Sequence, residues 1–210
     1  MLIVLSNGSL AKYPLGGGHW SWFLQYPLGL KALGYKILWI ELLQATTDEV
    51  QDLALIRDFF VRIREYQLDE DSVILLLPRL DVQRIESARF FGKTRNQVEE
   101  AVRSSDLLWN FCCAMRNPLL SMFRRRVLID VDPGHLQVAV MSYNLDLGIS
   151  SHDAYLTVGS KIHDSDCEVP TLGRRWKHFF PFVYLPLWQV APEPAPRAPF
   201  TSITQWEGMN

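Results

Sequence analysis

The segment Tyr13-Pro14-Leu15-Gly16-Gly17-Gly18-His19-Trp20-Ser21-Trp22-Phe23 decides how the first part of the chain folds. It follows a wholly apolar run at residues 2–5 and precedes a stretch whose apolar residues recur at helical spacing. Three consecutive glycines allow a sharp turn and a close approach of a ligand to the backbone, because they carry no Cβ. The helix that follows would point unpaired N–H groups at the same space. A second interpretation stays open: the glycines only close a strand-to-helix turn, and His19 only caps the helix.

Apolar runs that alternate with amphipathic stretches predict an α/β fold of the Rossmann-like type, with a mostly parallel central sheet. Wholly apolar runs are typical of strands that are buried on both faces of a parallel sheet. The amphipathic stretches between them predict helices on both faces, and the connections are expected to be right-handed. We expect strands at residues 2–5, 36–40, 73–77, 106–111, 126–131 and 154–158.

Capping signals predict where the helices begin and end. The first helix is expected to begin near Gly18, to be kinked or split by Pro27, and to stop at Gly34. A Ser or Thr followed three residues later by Glu or Gln is typical of a capping box. Two such pairs, Thr46 with Glu49 and Thr94 with Gln97, predict the starts of the second and third helices. Shorter helical segments are expected at residues 117–123 and 136–143.

The composition argues against several classes of partner. The chain has 210 residues, 48% of them hydrophobic, and a net charge of −2, so it offers no basic field to nucleic acid or to an anionic membrane. The apolar run at residues 2–5 is too short for a signal peptide or a membrane span. We therefore expect a soluble, cytoplasmic protein. The three cysteines lack metal-ligand spacing, so neither a metal site nor a disulfide is expected.

The domain organisation is predicted from a change in composition near the carboxyl terminus. Residues 1–190 are expected to form one Rossmann-like domain. Four prolines within residues 191–199 predict a stiff, extended linker. Residues 200–210 are too few for a domain, so we expect them either to pack on the first domain or to begin a second domain that this chain lacks.

Candidate site residues follow from a general property of doubly wound sheets, in which ligands gather outside the carboxyl ends of the strands. By this rule the glycine triplet, the end of the second strand, the segment 132–135 and the glycine after the sixth strand are expected at one rim. The candidate substrate-binding residues are Gly16, Gly17, Gly18, Trp20, Glu41, His135, Thr157 and Gly159.

Four segments, at residues 16–26, 130–134, 157–159 and 170–176, together resemble the amino-terminal half of bacterial glycosyltransferase-like proteins of the two-domain GT-B fold. The resemblance covers nearly the whole chain. It implies that this domain binds a small-molecule or glycan acceptor, while a second domain or subunit binds a nucleotide sugar as co-substrate. It also implies that this half binds no cofactor, and that the isolated chain is inactive because the donor domain is absent.

Glycosyl transfer needs a base near the acceptor hydroxyl and stabilisation of the departing diphosphate. His19 is the candidate base, since histidine exchanges protons near neutral pH and the positive end of a helix favours the neutral ring. By analogy with enzymes of the resembled fold, Asp132 is the candidate residue that orients His19. Alternatively, Asp132 and Pro133 only initiate a turn. His135 competes with His19, whereas the remaining histidines, His152, His163 and His178, are expected in loops without special roles.

Two other functions stay open. A nicotinamide-dependent oxidoreductase would explain a glycine-rich first turn and an acidic residue, Glu41, at the end of the second strand. However, residues 6–15 separate the first strand from the glycines, and the sequence contains no G-x-G-x-x-G. The other alternative is a non-catalytic binding domain or subunit that works only with a partner.

Overall fold

An eight-stranded sheet forms the centre of the protein, in a computed structural model that describes residues 1–8 and 10–199. The strand order is β4-β3-β2-β1-β5-β6-β7-β8, and every neighbouring pair is parallel except β3 and β4. The predicted α/β fold with a mostly parallel sheet is confirmed. The strands are β1 (Leu2–Asn7), β2 (Lys36–Gln44), β3 (Ser72–Leu77), β4 (Arg89–Phe91), β5 (Leu107–Phe111), β6 (Arg126–Asp130), β7 (Ala154–Thr157) and β8 (Trp176–His178).

The six predicted strands all form, whereas the two strands at the edges of the sheet were not predicted. Both β4 and β8 are only three residues long, too short to stand out as apolar runs. β2 is longer than predicted and continues to Gln44, so Glu41 lies inside this strand and not at its end. The predicted tail at residues 200–210 lies outside the described residues.

Four α-helices connect these strands: α1 (Gly17–Ala32), α2 (Glu49–Arg64), α3 (Arg95–Ser104) and α4 (His135–Tyr143). Pro27 does not split the first helix, because α1 continues through it as one helix, so this part of the prediction is wrong. Phe23, Tyr26 and Leu30 bury one side of α1, and this packing offsets the backbone hydrogen bond that proline cannot make. Gly34 follows the helix with a φ of +83°, as expected of a glycine stop.

The two predicted capping boxes have different outcomes. The box of Thr94 and Gln97 is confirmed at the start of α3. The box of Thr46 and Glu49 is wrong, because Asp48 caps α2 and accepts a hydrogen bond from the N–H of Gln51 at 3.0 Å. The Thr46 hydroxyl instead donates to Asp52 at 2.9 Å. The segment predicted as a helix at residues 117–123 forms only a 3-10 turn, Leu119–Met122.

The helices cover both faces of the sheet. Side chains of α1 and α2 pack with Ile3 and Leu5 of β1, whereas those of α3 pack with Val4, which points to the opposite face. α4 packs with Leu128 of β6 on the face of α3. The chain leaves β1 toward β2 on one side and reaches β5 on the other, so the topological switch point lies at the carboxyl ends of β1 and β5.

After β8 the chain crosses back to α1. Gln25 accepts hydrogen bonds from the N–H of Tyr184 at 2.7 Å and from the indole of Trp188 at 3.2 Å, while the rings of Tyr26 and Phe182 stack at 5.1 Å. Residues 191–199 contain neither helix nor strand and are exposed throughout. Within the described part of the chain, every helix is too short or too polar to cross a membrane.

Candidate functional site

A cleft of about 530 Å³ opens at the carboxyl ends of β1 and β5, where a ligand is expected in a sheet of this topology. The loops after β1, β3, β5 and β6 form its walls together with the first turns of α1. It brings together His19 and Asp132, the two candidate catalytic residues. The lining also includes Asn7, Trp22, Gln83, Cys112 and Arg116, none of which the sequence analysis selected.

His19 lies in the first turn of α1 and is exposed. Its ring stacks on the ring of Tyr13, with the centroids 6.0 Å apart. Asp132 is exposed just beyond the end of β6. No hydrogen bond joins His19 to Asp132 within the described residues, so the orientation of His19 by this carboxylate stays a prediction.

The glycine triplet combines one crowded position with two open ones. A Cβ on Gly16 would lie 3.1 Å from the carbonyl oxygen of Tyr13, so this glycine allows a close approach within the loop. A Cβ on Gly17 or Gly18 would meet no atom within 4 Å. No side chain caps the start of α1, and its first turn holds no acidic residue. Space is therefore open at the helix start, where uncompensated N–H groups favour negative charge.

Trp20 is 1% exposed and lies in the core, so it cannot contact a ligand in this conformation. Its indole N–H donates to the carbonyl of Tyr13 at 3.0 Å. The guanidinium of Arg62 lies 4.3 Å from the ring centre and donates to the carbonyls of Pro14 and Gly16. Trp20 and Arg62 thus hold the glycine loop in place through hydrogen bonds to its carbonyl groups.

Glu41 is fully buried, although the sequence analysis expected it at the rim. Its carboxylate accepts hydrogen bonds from the N–H groups of Leu10 at 2.7 Å and Ala11 at 3.0 Å, and from the Trp39 indole at 3.1 Å. Burial raises the pKa of Glu41 to about 7, while these hydrogen bonds act in the opposite direction. Glu41 holds the loop from inside the sheet and is closed to solvent, so one of the two features that favoured a dinucleotide site is absent from the rim.

Thr157 and Gly159 help to fix the loops after β6 and β7. Thr157 is fully buried and donates to the Asp130 carboxylate at 3.1 Å, while its hydroxyl accepts from the N–H of Gly159 at 3.1 Å. A Cβ on Gly159 would lie 2.9 Å from that of Pro133, so only glycine fits there. The backbone of Asp132 donates to Asp130 at 3.1 Å. These contacts set the position of Asp132, and Thr157 is enclosed away from ligands.

His135 is exposed as the first residue of α4, and it is not among the residues that line the cleft. Of the three histidines expected in loops, His152 lies in a loop and is buried, with its Nε2 3.0 Å from the Asn110 amide, whereas the loop prediction is wrong for His178, which lies in a strand. Nε2 of His163 lies 2.6 Å from the carbonyl of Trp176. His178 is exposed in β8.

The loop after β5 forms one wall of the cleft and is held in an unusual conformation. Cys112 and Cys113 both have left-handed backbones, with φ of 49° and 57°. Non-glycine residues adopt this region at a cost, and such strain concentrates at functional sites. Asn110 holds the loop by exchanging two hydrogen bonds of 2.8 Å with the backbone of Met115.

The two thiols of this loop are poor nucleophiles. Cys112 is exposed at the cleft, but desolvation by the protein atoms around its sulfur raises its pKa to about 11, and the nearby carboxylates of Asp130 and Asp132 act in the same direction. Burial also raises the pKa of Cys113 above its ordinary value. Both side chains are therefore protonated at neutral pH, whereas nucleophilic attack requires a thiolate.

Arg116 ends the same loop and is half-buried. Its backbone N–H donates to Gln83 at 2.7 Å, and the Gln83 amide donates in turn to the carbonyl of Ala114 at 2.8 Å. Its guanidinium forms no hydrogen bond or ion pair with the residues that the structure describes. Arg116 is one of the residues that line the cleft, and no ion pair within the described residues neutralises its charge.

Residues 1–8 and 10–199 contain no cluster of three or more His, Cys, Asp or Glu side chains that could hold a metal ion. Comparison with models of protein families, with curated proteins and with solved structures finds no match to this chain.

Proposed function

We propose that this chain is the acceptor-binding half of a glycosyltransferase, and that a second domain or subunit supplies the nucleotide sugar. The observation that carries the proposal is the open cleft at the switch point of the sheet, which His19 and Asp132 both line. A concave site at the carboxyl edge of a parallel sheet, lined by both apolar and polar side chains, suits a small acceptor whose reacting hydroxyl must meet one base.

His19 is assigned the role of general base. Its ring takes the proton of the acceptor hydroxyl while the hydroxyl oxygen forms a bond to the anomeric carbon of the donor. The bond from that carbon to the nucleoside diphosphate breaks in the same reaction. The uncapped start of α1 faces open space, where its N–H groups would stabilise the charge of the departing diphosphate.

Aromatic side chains shape the wall next to α1. Trp22 is half-buried, packs 5.7 Å from the ring of Phe111, and lines the cleft beside it. A partly exposed indole offers a flat apolar surface to one side of a sugar ring, and its edge remains polar. Trp22 is therefore the residue to which we assign packing against the acceptor.

Isothermal titration of the purified chain tests the proposal with three ligand classes: acceptor oligosaccharides, sugar nucleotides and a nicotinamide dinucleotide. We expect measurable binding of saccharides, and weak or no binding of sugar nucleotides because most donor contacts are assigned to the second domain. Trp22→Ala should weaken saccharide binding, whereas Tyr143→Ala, which removes an exposed ring at the end of α4 and outside this cleft, should not. Submicromolar binding of a sugar nucleotide, or specific binding of the dinucleotide, would contradict the proposal.

A non-catalytic binding subunit remains the second candidate. The observation that favours it is a set of exposed apolar side chains in the segment that crosses α1, which is a common property of surfaces that associate with a partner. They are Phe180, Val183, Leu185 and Trp188. Saccharide binding without turnover, after reconstitution with a donor-binding domain, would favour this candidate over the enzyme.

A further inference from the structure

Arg116 differs from the other half-buried arginines of the described chain because its side chain has no hydrogen bond, ion pair or ring contact with the described residues. Arg62 binds two backbone carbonyls and the Trp20 ring, Arg126 pairs with Asp153, and Arg174 lies over the ring of Tyr155. Arg116 has no comparable contact among the residues that the structure describes. A cation that is partly removed from water without a counter-charge is unfavourable, so this arrangement needs a reason.

The protein groups nearest to the cleft do not neutralise Arg116. Asp132 lines the same cleft but forms no ion pair with it in the described structure. Asp130 is fully buried, and its carboxylate already accepts hydrogen bonds from Gln137, Thr157 and the backbone of Asp132. The guanidinium therefore retains its capacity to bind an anion from solution.

The loop that carries Arg116 is fixed before any ligand binds. The side chain of Gln83 accepts a hydrogen bond from the backbone N–H of Arg116. The side chain of Asn110 both donates to the carbonyl and accepts from the N–H of the preceding residue, Met115. A guanidinium presented from a rigid loop loses less conformational freedom on binding than one on a mobile loop. Its planar fork suits bidentate hydrogen bonds to a carboxylate or a phosphate.

We infer that the acceptor bound in this cleft is an acidic saccharide, whose carboxylate or phosphate group is held by Arg116. This inference rests on the proposed function for the saccharide part of the ligand, whereas the anion site rests on Arg116 and the cleft alone. Arg116 anchors the acid group while the hydroxyl to be glycosylated lies toward His19 on the α1 side. The residue thus selects acidic over neutral acceptors.

The test compares the affinities of the chain for glucuronate, glucose 6-phosphate and glucose. Each affinity is measured by NMR chemical-shift titration of the isotope-labelled chain. We expect glucose to bind at least about 10-fold more weakly than the acidic sugars. Arg116→Gln should weaken binding of the acidic sugars by about 10- to 100-fold, the usual range for a charged hydrogen bond. Because the Arg116 side chain forms no hydrogen bond or ion pair with the residues that the structure describes, the melting temperature of the variant should change little.

Arg124→Gln is the matched control. Arg124 is an exposed arginine just before β6. It therefore lies at the amino ends of the parallel strands, whereas the cleft lies at their carboxyl ends. Its replacement changes the net charge by the same amount and should leave binding unchanged. Equal loss of affinity in both variants would show a general charge effect and overturn the assignment of Arg116.

Two further outcomes separate the inference from the proposed function. If glucose binds as tightly as the acidic sugars, and Arg116→Gln changes neither affinity, the inference is overturned while saccharide binding still supports the proposed function. If inorganic phosphate or UDP binds through Arg116 and no sugar binds, the acidic-saccharide assignment and the proposed acceptor role both fail. The anion site alone would then stand.

Discussion

Glu41 accepts a hydrogen bond from the backbone N–H of Leu10 at 2.7 Å, and this contact ties the loop after β1 to the interior of the sheet. Arg62 binds the same loop near its other end, through the carbonyls of Pro14 and Gly16. The loop is thus anchored before and after its exposed tip. These anchors set where α1 begins, and therefore where His19 meets the cleft.

Glu41→Gln tests the buried brace through the pH dependence of stability. The pKa of Glu41 is raised from 4.5 to about 7 in the folded protein, so the folded state holds a proton that the unfolded state has released between these values. The contribution of this proton is complete below pH 4.5 and is lost as the pH rises to about 7. We expect the wild type to lose up to about 3 kcal/mol relative to the variant over this range, measured by urea unfolding.

The control for this experiment is Glu65→Gln, which changes an exposed glutamate just after α2. This variant retains Glu41, so it should lose stability over the same range of pH as the wild type does. A constant difference between Glu41→Gln and the wild type would show that Glu41 titrates alike in the folded and unfolded states.

His152 gives the opposite dependence on pH. Burial lowers the pKa of His152 below its ordinary value of 6.5, and the Asn110 amide lies 3.0 Å from its Nε2. The stability that depends on the neutral ring is therefore present above pH 6.5 and is lost as the pH falls through the lowered pKa. An NMR titration should place the midpoint of this ring below 6.5. A midpoint at or above that value would show that burial does not disfavour the charged form of this ring.

Two glycine substitutions distinguish packing from open space. Gly159→Ala should lower the free energy of unfolding by about 1–3 kcal/mol, because its Cβ would overlap Pro133, whose ring is part of the backbone. Gly18→Ala should leave it unchanged or raise it by up to about 1 kcal/mol, since alanine favours a helix and meets no atom there. Urea unfolding of both variants checks the pair. Equal losses would show that the space around Gly18 is not open.

The sequence predicts the interior of the sheet well because apolar runs such as residues 73–77 are buried on both sides and carry a strong signal. It does not reveal β4 or β8, since three residues at an edge need no apolar run. The capping box at Thr46 fails because a nearby carboxylate, Asp48, competes for the same N–H groups. Local patterns thus predict the elements better than their ends.

The site is predicted only in part, because local sequence patterns do not show which strands are neighbours in the sheet. His19 and Asp132 follow from the rule about strand ends, but Arg116 requires knowing that β5 lies beside β1. The same rule applied to the apolar run at residues 107–111 would have indicated the loop after it. Glu41 and Trp20 were misplaced because a polar or aromatic residue near a strand end can equally serve as a buried brace.

His19→Ala tests the proposed base and requires the complete enzyme, either a fused protein or a reconstituted pair of halves. We expect the rate to fall by about 10²–10⁴-fold, the usual range for loss of a general base, while stability stays nearly unchanged because His19 is exposed. His135→Ala, at the start of α4 and outside the cleft lining, is the matched control and should keep full turnover. A His19 that only caps or packs predicts the reverse: a melting temperature lower by a few degrees, which corresponds to about 1 kcal/mol, with turnover per folded molecule unchanged. That result would remove His19 from the mechanism, and loss of turnover in His135→Ala alone would transfer the role to His135.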